Sequence, residues 1–154
     1  MTSILILYHS QQHGNTQRMA TAVADGARAA GADVTVHNGN DGRFDVETYR
    51  SFDAAAFGSP DYFSYIAGTL KVFLDDWYIA KGQNPTGLVD KPLVLFYSHG
   101  GGGAVKRPLE TLFARLGHQM GKTVESLGAP SGRVLEACQE LGRQLAEAAQ
   151  AASG

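Results

Sequence analysis

The chain has 154 residues, 44% of them hydrophobic, and a chain of this size buries about 70% of the surface its unfolded form exposes, enough for one domain whose core needs no disulfide or metal. A formal net charge of -2 and an isoelectric point near 6.2 supply neither the basic field that nucleic acid requires nor a strongly acidic one. Cys138 is the only cysteine, which excludes an internal disulfide and a thiolate cluster and fits a reducing compartment. The start Met1-Thr2-Ser3 carries no basic stretch, and the apolar run after it is too short for a signal or membrane segment, so the expected location is the cytoplasm.

Taken in order, short β-rich runs alternate with helical patterns. Ile4 to Tyr8 is continuously apolar, as in a strand covered on both faces. Met19, Ala20, Val23, Ala27 and Ala30 recur at helical spacing from Thr16 to Ala30, with Gly31 as a stop. Asp33 to His37 alternates as a second strand. The Gly/Asn/Asp stretch to Arg43 follows, with at most a short helix from Asp45 to Arg50. Phe52 to Phe57 reads as the third strand, ended by Gly58-Ser59-Pro60, and Leu70, Phe73, Leu74 and Trp77 form one face of the next helix. Leu93 to Tyr97 is the fourth strand; Leu109, Leu112, Phe113 and Leu116 repeat the helical face; Lys122 to Leu127 is the fifth strand. Ser131 caps a last helix with inner residues Val134, Leu135, Cys138, Leu141 and Leu145, and the alanine-rich tail from Ala146 to Gly154 is expected to fray. Strands joined by right-handed helical crossovers imply a single α/β domain. It is a doubly wound parallel sheet of five strands in the order 2-1-3-4-5, with helices on both faces.

In such a sheet ligands bind beyond the carboxyl ends of the strands, where strand order reverses. Three loops meet that expectation. Ser10 to Thr16 combines hydroxyl and amide side chains, Gly14 and a helix N-terminus, the makings of an anion site. It has no lysine at the Walker position and no G-x-G-x-x-G fingerprint. The plainer reading is that Ser, Asn and Thr cap the helix. Gly58 to Gly68 carries Tyr62, Phe63 and Tyr65, a stacking surface for a planar ring or simply a packed loop. Ser98-His99-Gly100-Gly101-Gly102-Gly103 removes every Cβ over four residues, so that backbone can approach a flat ligand; alone it reads as a flexible loop.

With these residues in view, the chain resembles the flavodoxin-like FMN-binding family, and within it the NAD(P)H-dependent flavin reductases and NAD(P)H:quinone oxidoreductases. Tyr8-x-Ser10 through Gly14-Asn15-Thr16 resembles the family's phosphate loop, usually Ser-x-x-Gly-x-Thr, with one extra residue. Gly58-Ser59-Pro60-x-Tyr62-Phe63 with Gly68-x-Leu70-Lys71-x-Phe73-Leu74-Asp75 is similar to the second signature of the quinone-reductase branch, where Ser64 replaces a frequent glycine. The resemblance implies that Ser10, Gln12, His13, Gly14, Asn15 and Thr16 hold the FMN phosphate. It implies that Ser59, Pro60, Asp61, Tyr62 and Phe63 line the ribityl chain and ring, and that Ser98, His99, Gly100, Gly101, Gly102 and Gly103 close the other side. The related iron–sulfur branch needs a cysteine cluster and is excluded.

The five histidines show no metal-ligand spacing, so no metal is expected. Asp75 and Asp76 are helix neighbours that do not face each other. Lys106 and Arg107 fit either a solvated helix start or a contact with NAD(P)H phosphates or an acidic partner. Phe96-x-Ser98 lacks the glycine of a hydrolase nucleophile elbow. No catalytic side chain is named, because the flavin carries the chemistry. Two functions follow: a reductase passing hydride from NAD(P)H through FMN to a quinone or other acceptor, or a non-enzymatic electron carrier docking a redox partner protein. Neither involves nucleic acid or membrane. Related reductases often pair so that a neighbouring chain completes the flavin pocket, so a homo-oligomer is compatible with the resemblance.

Overall fold

The computed structural model of the protein describes residues 1–153. The strands are β1 (Ser3–Tyr8), β2 (Asp33–Asn38), β3 (Ala54–Pro60), β4 (Lys91–His99), β5 (Gly117–Gln119) and β6 (Val124–Leu127). The helices are α1 (Asn15–Ala29), α2 (Gly68–Gln83), α3 (Lys106–Phe113) and α4 (Gly132–Ser153). Two 3₁₀ turns, Gly39–Asp41 and Val46–Ser51, fill the connection from β2 to β3, where the sequence allows no longer helix. Every pairing is parallel and the order is β2-β1-β3-β4-β5, with β6 also on β4.

Alternation along each strand sorts the core into two layers. Ile4, Ile6, Ala54, Ala56, Val94 and Phe96 pack beneath α1 and α4, while Leu5, Leu7, Ala55, Phe57, Leu93, Leu95 and Tyr97 pack beneath α2 and α3. Burying each such large side chain contributes about 1.5–3 kcal/mol. Trp77 lies in the second layer and donates Nε1–H to the Leu88 carbonyl at 2.7 Å, a core residue as its spacing implies.

Three boundaries differ from the expected ones. Gly58-Ser59-Pro60 does not end the third strand but belongs to it, paired as far as Pro60 opposite Ser98. The glycine is there for packing: a Cβ at Gly58 would lie 2.1 Å from the Phe96 ring. The fifth position is split, because β5 pairs Lys91 to Leu93 and β6 pairs Phe96 to His99, and the chain between them carries two extra residues. The stretch Gly117-His118-Gln119 has no apolar pattern to announce it. Its glycine passes so close to β4 that a Cβ would be 1.9 Å from the Lys91 carbonyl oxygen. The alanine-rich tail does not fray; α4 runs to Ser153, and Ala146 and Ala149 are buried against the first layer. Gly154 lies outside the described residues. Small residues serve here because α1 and α4 approach backbone to backbone: Cβ atoms at Gly26 and Gly142 would lie 1.9 Å from Gln139 O and 2.0 Å from Val23 O. Leu116 lies past the end of α3 yet remains buried.

Candidate functional site

The register sets the stage: Tyr8 stands opposite Gly58, and Pro60 opposite Ser98, so the loops leaving β1, β3 and β4 emerge side by side. The first loop is tied down before it turns. His9, 4% exposed, donates its amide to Gly58 O at 3.1 Å. The Ser10 amide reaches Asn40 Oδ1 at 2.8 Å and Asn38 Oδ1 at 3.3 Å, and its carbonyl accepts from Asn38 Nδ2 at 3.0 Å. With Asn40 Oδ1 so committed, its Nδ2 faces Gln11 Oε1 at 2.8 Å and, at a long 3.5 Å, His9 Nε2. Nε2 is thus the ring's acceptor, and Nδ1–H donates to Thr69 Oγ1 at 2.7 Å. Burial lowers the His9 pKa, against a smaller opposing effect of the neighbouring Gln11.

Helix α1 opens without a side-chain cap. Its N-cap is Gly14 at φ 75, a left-handed conformation that glycine adopts without strain, and its first-turn amides have no capping side chain. Residues Ser10 to Thr16 here line a cavity of about 40 Å³ together with Pro60, Tyr62 and Ser98. That is far below the roughly 300–1,000 Å³ of pockets that enclose a whole small-molecule ligand. The hollow is therefore on the scale of one compact group and not of a fused ring system. Arg18, which the sequence pattern does not single out, donates to Asn15 Oδ1 and brings a cation to the loop.

The three loops are joined by direct bonds. Thr16 Oγ1 and Ser98 Oγ, both buried, are 2.9 Å apart. Asp61 donates its amide to Ser98 O at 2.9 Å, and its Oδ2 accepts from the Val105 amide at 3.3 Å. The Tyr62 ring meets His9 edge-on at 5.5 Å. Tyr62 and Tyr65 close a two-residue hairpin whose central residues, Phe63 (φ 57) and Ser64 (φ 60), both adopt the left-handed region, at about 1–2 kcal/mol each for non-glycine residues.

Of the residues expected at the site, Ser10, Gln12, His13, Gly14, Asn15, Thr16, Pro60, Tyr62 and Ser98 share the small cavity. The others lie elsewhere. Ser59 is buried and folds its loop back, accepting from the Ala67 amide at 3.0 Å and donating to Pro60 O at 2.6 Å. Asp61 braces Val105, and Phe63 points wholly into solvent. His99 turns toward β6. Gly100, Gly101 and Gly102 form an exposed rim where a Cβ would meet nothing within 4 Å. The protein's own packing thus demands no glycine at these three positions. Asn38, Asn40, His9 and Thr69 went unpredicted as site residues; Asn38 and Asn40 sit in the Gly/Asn/Asp stretch about thirty residues from the loop they hold. The Ser98 hydroxyl is hydrogen-bonded with the Thr16 hydroxyl. Asp75 and Asp76 pair with Lys71 and Arg43. Among the described residues no group of three or more His, Cys, Asp or Glu could hold a metal, and no helix is long and apolar enough to cross a membrane.

The model of the flavodoxin family matches residues 6–149. The chain belongs to the flavodoxin family. An NAD(P)H dehydrogenase (quinone) of Archaeoglobus fulgidus is 29% identical to it, with 97% of this chain and 98% of that protein covered. A coenzyme F420H(2) oxidase of Methanothermobacter marburgensis is 29% identical over 148 residues, 93% of this chain, but the chain spans only 35% of that protein's length. In fold, it superposes on a flavodoxin from the domain Archaea with a TM-score of 0.81 at 23% identity, covering 96% of this chain and 99% of the other.

Proposed function

We propose that this member of the flavodoxin family is a single-domain flavoprotein that binds one FMN and works as an NAD(P)H-dependent oxidoreductase toward a quinone or another small acceptor. The observation that carries the FMN reading is the uncapped start of α1 beside a cavity of about 40 Å³ onto which all three loops converge. Ser10, Gln12, His13, Gly14, Asn15 and Thr16 would hold the phosphate. Pro60, Tyr62 and the exposed glycine rim offer the surface for the ring. Bound FMN supplies the capacity to accept a hydride and return electrons singly or in pairs. The chain's own part is to seat the phosphate, orient the ring and set how far water reaches it. The full-length match to an NAD(P)H dehydrogenase (quinone) supports the reductase reading. Oxidation of NADH and NADPH is measured with added FMN and a panel of quinones; turnover above that of free FMN is expected, and none across the panel removes the enzyme reading.

A second reading, an electron carrier for a redox partner protein, is supported by the equally complete match in length to an archaeal flavodoxin. Stepwise reduction followed by visible spectra separates the two. Two resolved one-electron steps favour the carrier, and a single two-electron step favours the reductase.

A further inference from the structure

One line of polar contacts, from Tyr97 through Glu125 to His99, runs beneath the glycine rim. Tyr97 is 2% exposed, and its hydroxyl donates to Glu125 Oε2, the residue directly opposite it in the β4–β6 pairing. Burial first, and the bond to Glu125 second, raise the Tyr97 pKa far above its ordinary value, so the phenol remains a donor. The same carboxylate oxygen lies 3.4 Å from His99 Nε2, too poorly aligned for a hydrogen bond, so that among the described residues Nε2 is a buried polar atom with no hydrogen-bond partner and Glu125 is the charge beside it. The opposite ring nitrogen, Nδ1, accepts the Gly101 amide at 3.2 Å. An amide can only donate, so the ring proton sits on Nε2, facing Glu125. The far end of the rim rests on the same pair: a Cβ at Gly103, which has φ +65, would lie 3.2 Å from Glu125 Oε2 and 3.4 Å from His99 Nε2.

Four consecutive glycines lose more conformational freedom on ordering than any other tetrapeptide, and a binding loop that must be ordered by its ligand weakens the affinity. An apolar or absent side chain at 125 would leave the buried Tyr97 hydroxyl without its acceptor. A carboxylate there serves the His99 ring, whose side chain is 7% exposed while that of Glu125 is 54% exposed.

We propose that Tyr97 and Glu125 are positioning residues which, acting through His99, hold the Gly100–Gly103 rim in the shape from which its backbone meets the flavin; this rests on the FMN reading above. The test uses the full chain as wild type, Glu125→Ala, Tyr97→Phe and Glu125→Gln. Two readouts are taken: solvent exchange of the Gly101 and Gly103 amides by NMR in the FMN-free protein, and FMN affinity by fluorescence quenching. Loss of one charge-assisted contact is expected to weaken FMN about tenfold in Glu125→Ala, with faster exchange at both amides. Tyr97→Phe shifts both readouts the same way but less, and Glu125→Gln restores most of the loss. Exchange at Leu95 and Phe57 stays as in wild type, which a general weakening of the fold would not allow. Wild-type exchange at Gly101 and wild-type affinity in Glu125→Ala overturn the proposal, as does a Gln variant no better than Ala. A wild type that ignores FMN overturns the flavin reading instead, while the Gly101 exchange rates still decide whether the rim is held.

Discussion

The loops that leave β1 and β4 both carry glycine at the carboxyl edge of the sheet, yet they are held by opposite means. The first is clamped from outside: Asn38 and Asn40 grip Ser10, Thr69 fixes His9, and Thr16 is bonded to Ser98. Its one glycine has a defined task at φ 75. The loop after β4 has open space around three of its glycines; Gly101 donates its amide to His99, and Gly103 O accepts from the Lys106 amide at 3.3 Å. A compact anion wants a rigid cradle of fixed donors, whereas a flat ring wants backbone that can lie close without side chains in the way. On the FMN reading proposed above, the difference would divide the ligand site into a half clamped from several elements and a half held from beneath through one histidine.

Breaking the rigid half has the largest expected effect. Asn40→Ala removes the acceptor of the Ser10 amide and the donor to Gln11, and FMN affinity is expected to fall about thirty- to a hundredfold in a quenching titration. Thr16→Val cuts only the bridge to Ser98, for a loss of about tenfold in the same assay. On the rim, Gly101→Ala meets no atom within 4 Å. The midpoint of urea unfolding without ligand should then shift by no more than about 0.5 kcal/mol, while FMN affinity drops because the ring's approach is blocked. A large loss of stability would mean that the rim is packed after all. The smallest effect concerns pH. His9 has its pKa lowered by burial, so the unfolded chain takes up the proton first on acidification. Its contribution is complete above the ordinary histidine value of 6.5 and is lost as pH falls below that toward the depressed folded value. A His9→Gln variant should therefore show a flatter decline in urea midpoint between neutral and mildly acidic pH than wild type.

Much of the fold was legible because burial on both faces leaves runs such as Ile4 to Tyr8 unbroken, and helix faces such as Leu70, Phe73, Leu74 and Trp77 keep their period. What escaped was set by close backbone approach. Gly58 looks like a turn glycine in the sequence but is the gap into which Phe96 fits, and Gly117 opens a strand with no apolar signal because it passes the Lys91 carbonyl. At the site, the loops were legible from their position after strands and from their composition. The clamps were not: Asn38 and Asn40 read as ordinary turn residues, and only the folded register brings them to Ser10. Likewise Ser59 sits within a recognisable motif, yet its hydroxyl is spent on the Ala67 amide and the Pro60 carbonyl.

The most direct measurement compares FMN with riboflavin, which lacks the phosphate, by quenching of flavin fluorescence at fixed ionic strength. If the start of α1 and the Ser10–Thr16 loop grip a phosphate through several charge-assisted hydrogen bonds, FMN binds at least about a hundredfold more tightly than riboflavin. Equal affinity for the two, or no binding of either, contradicts the account.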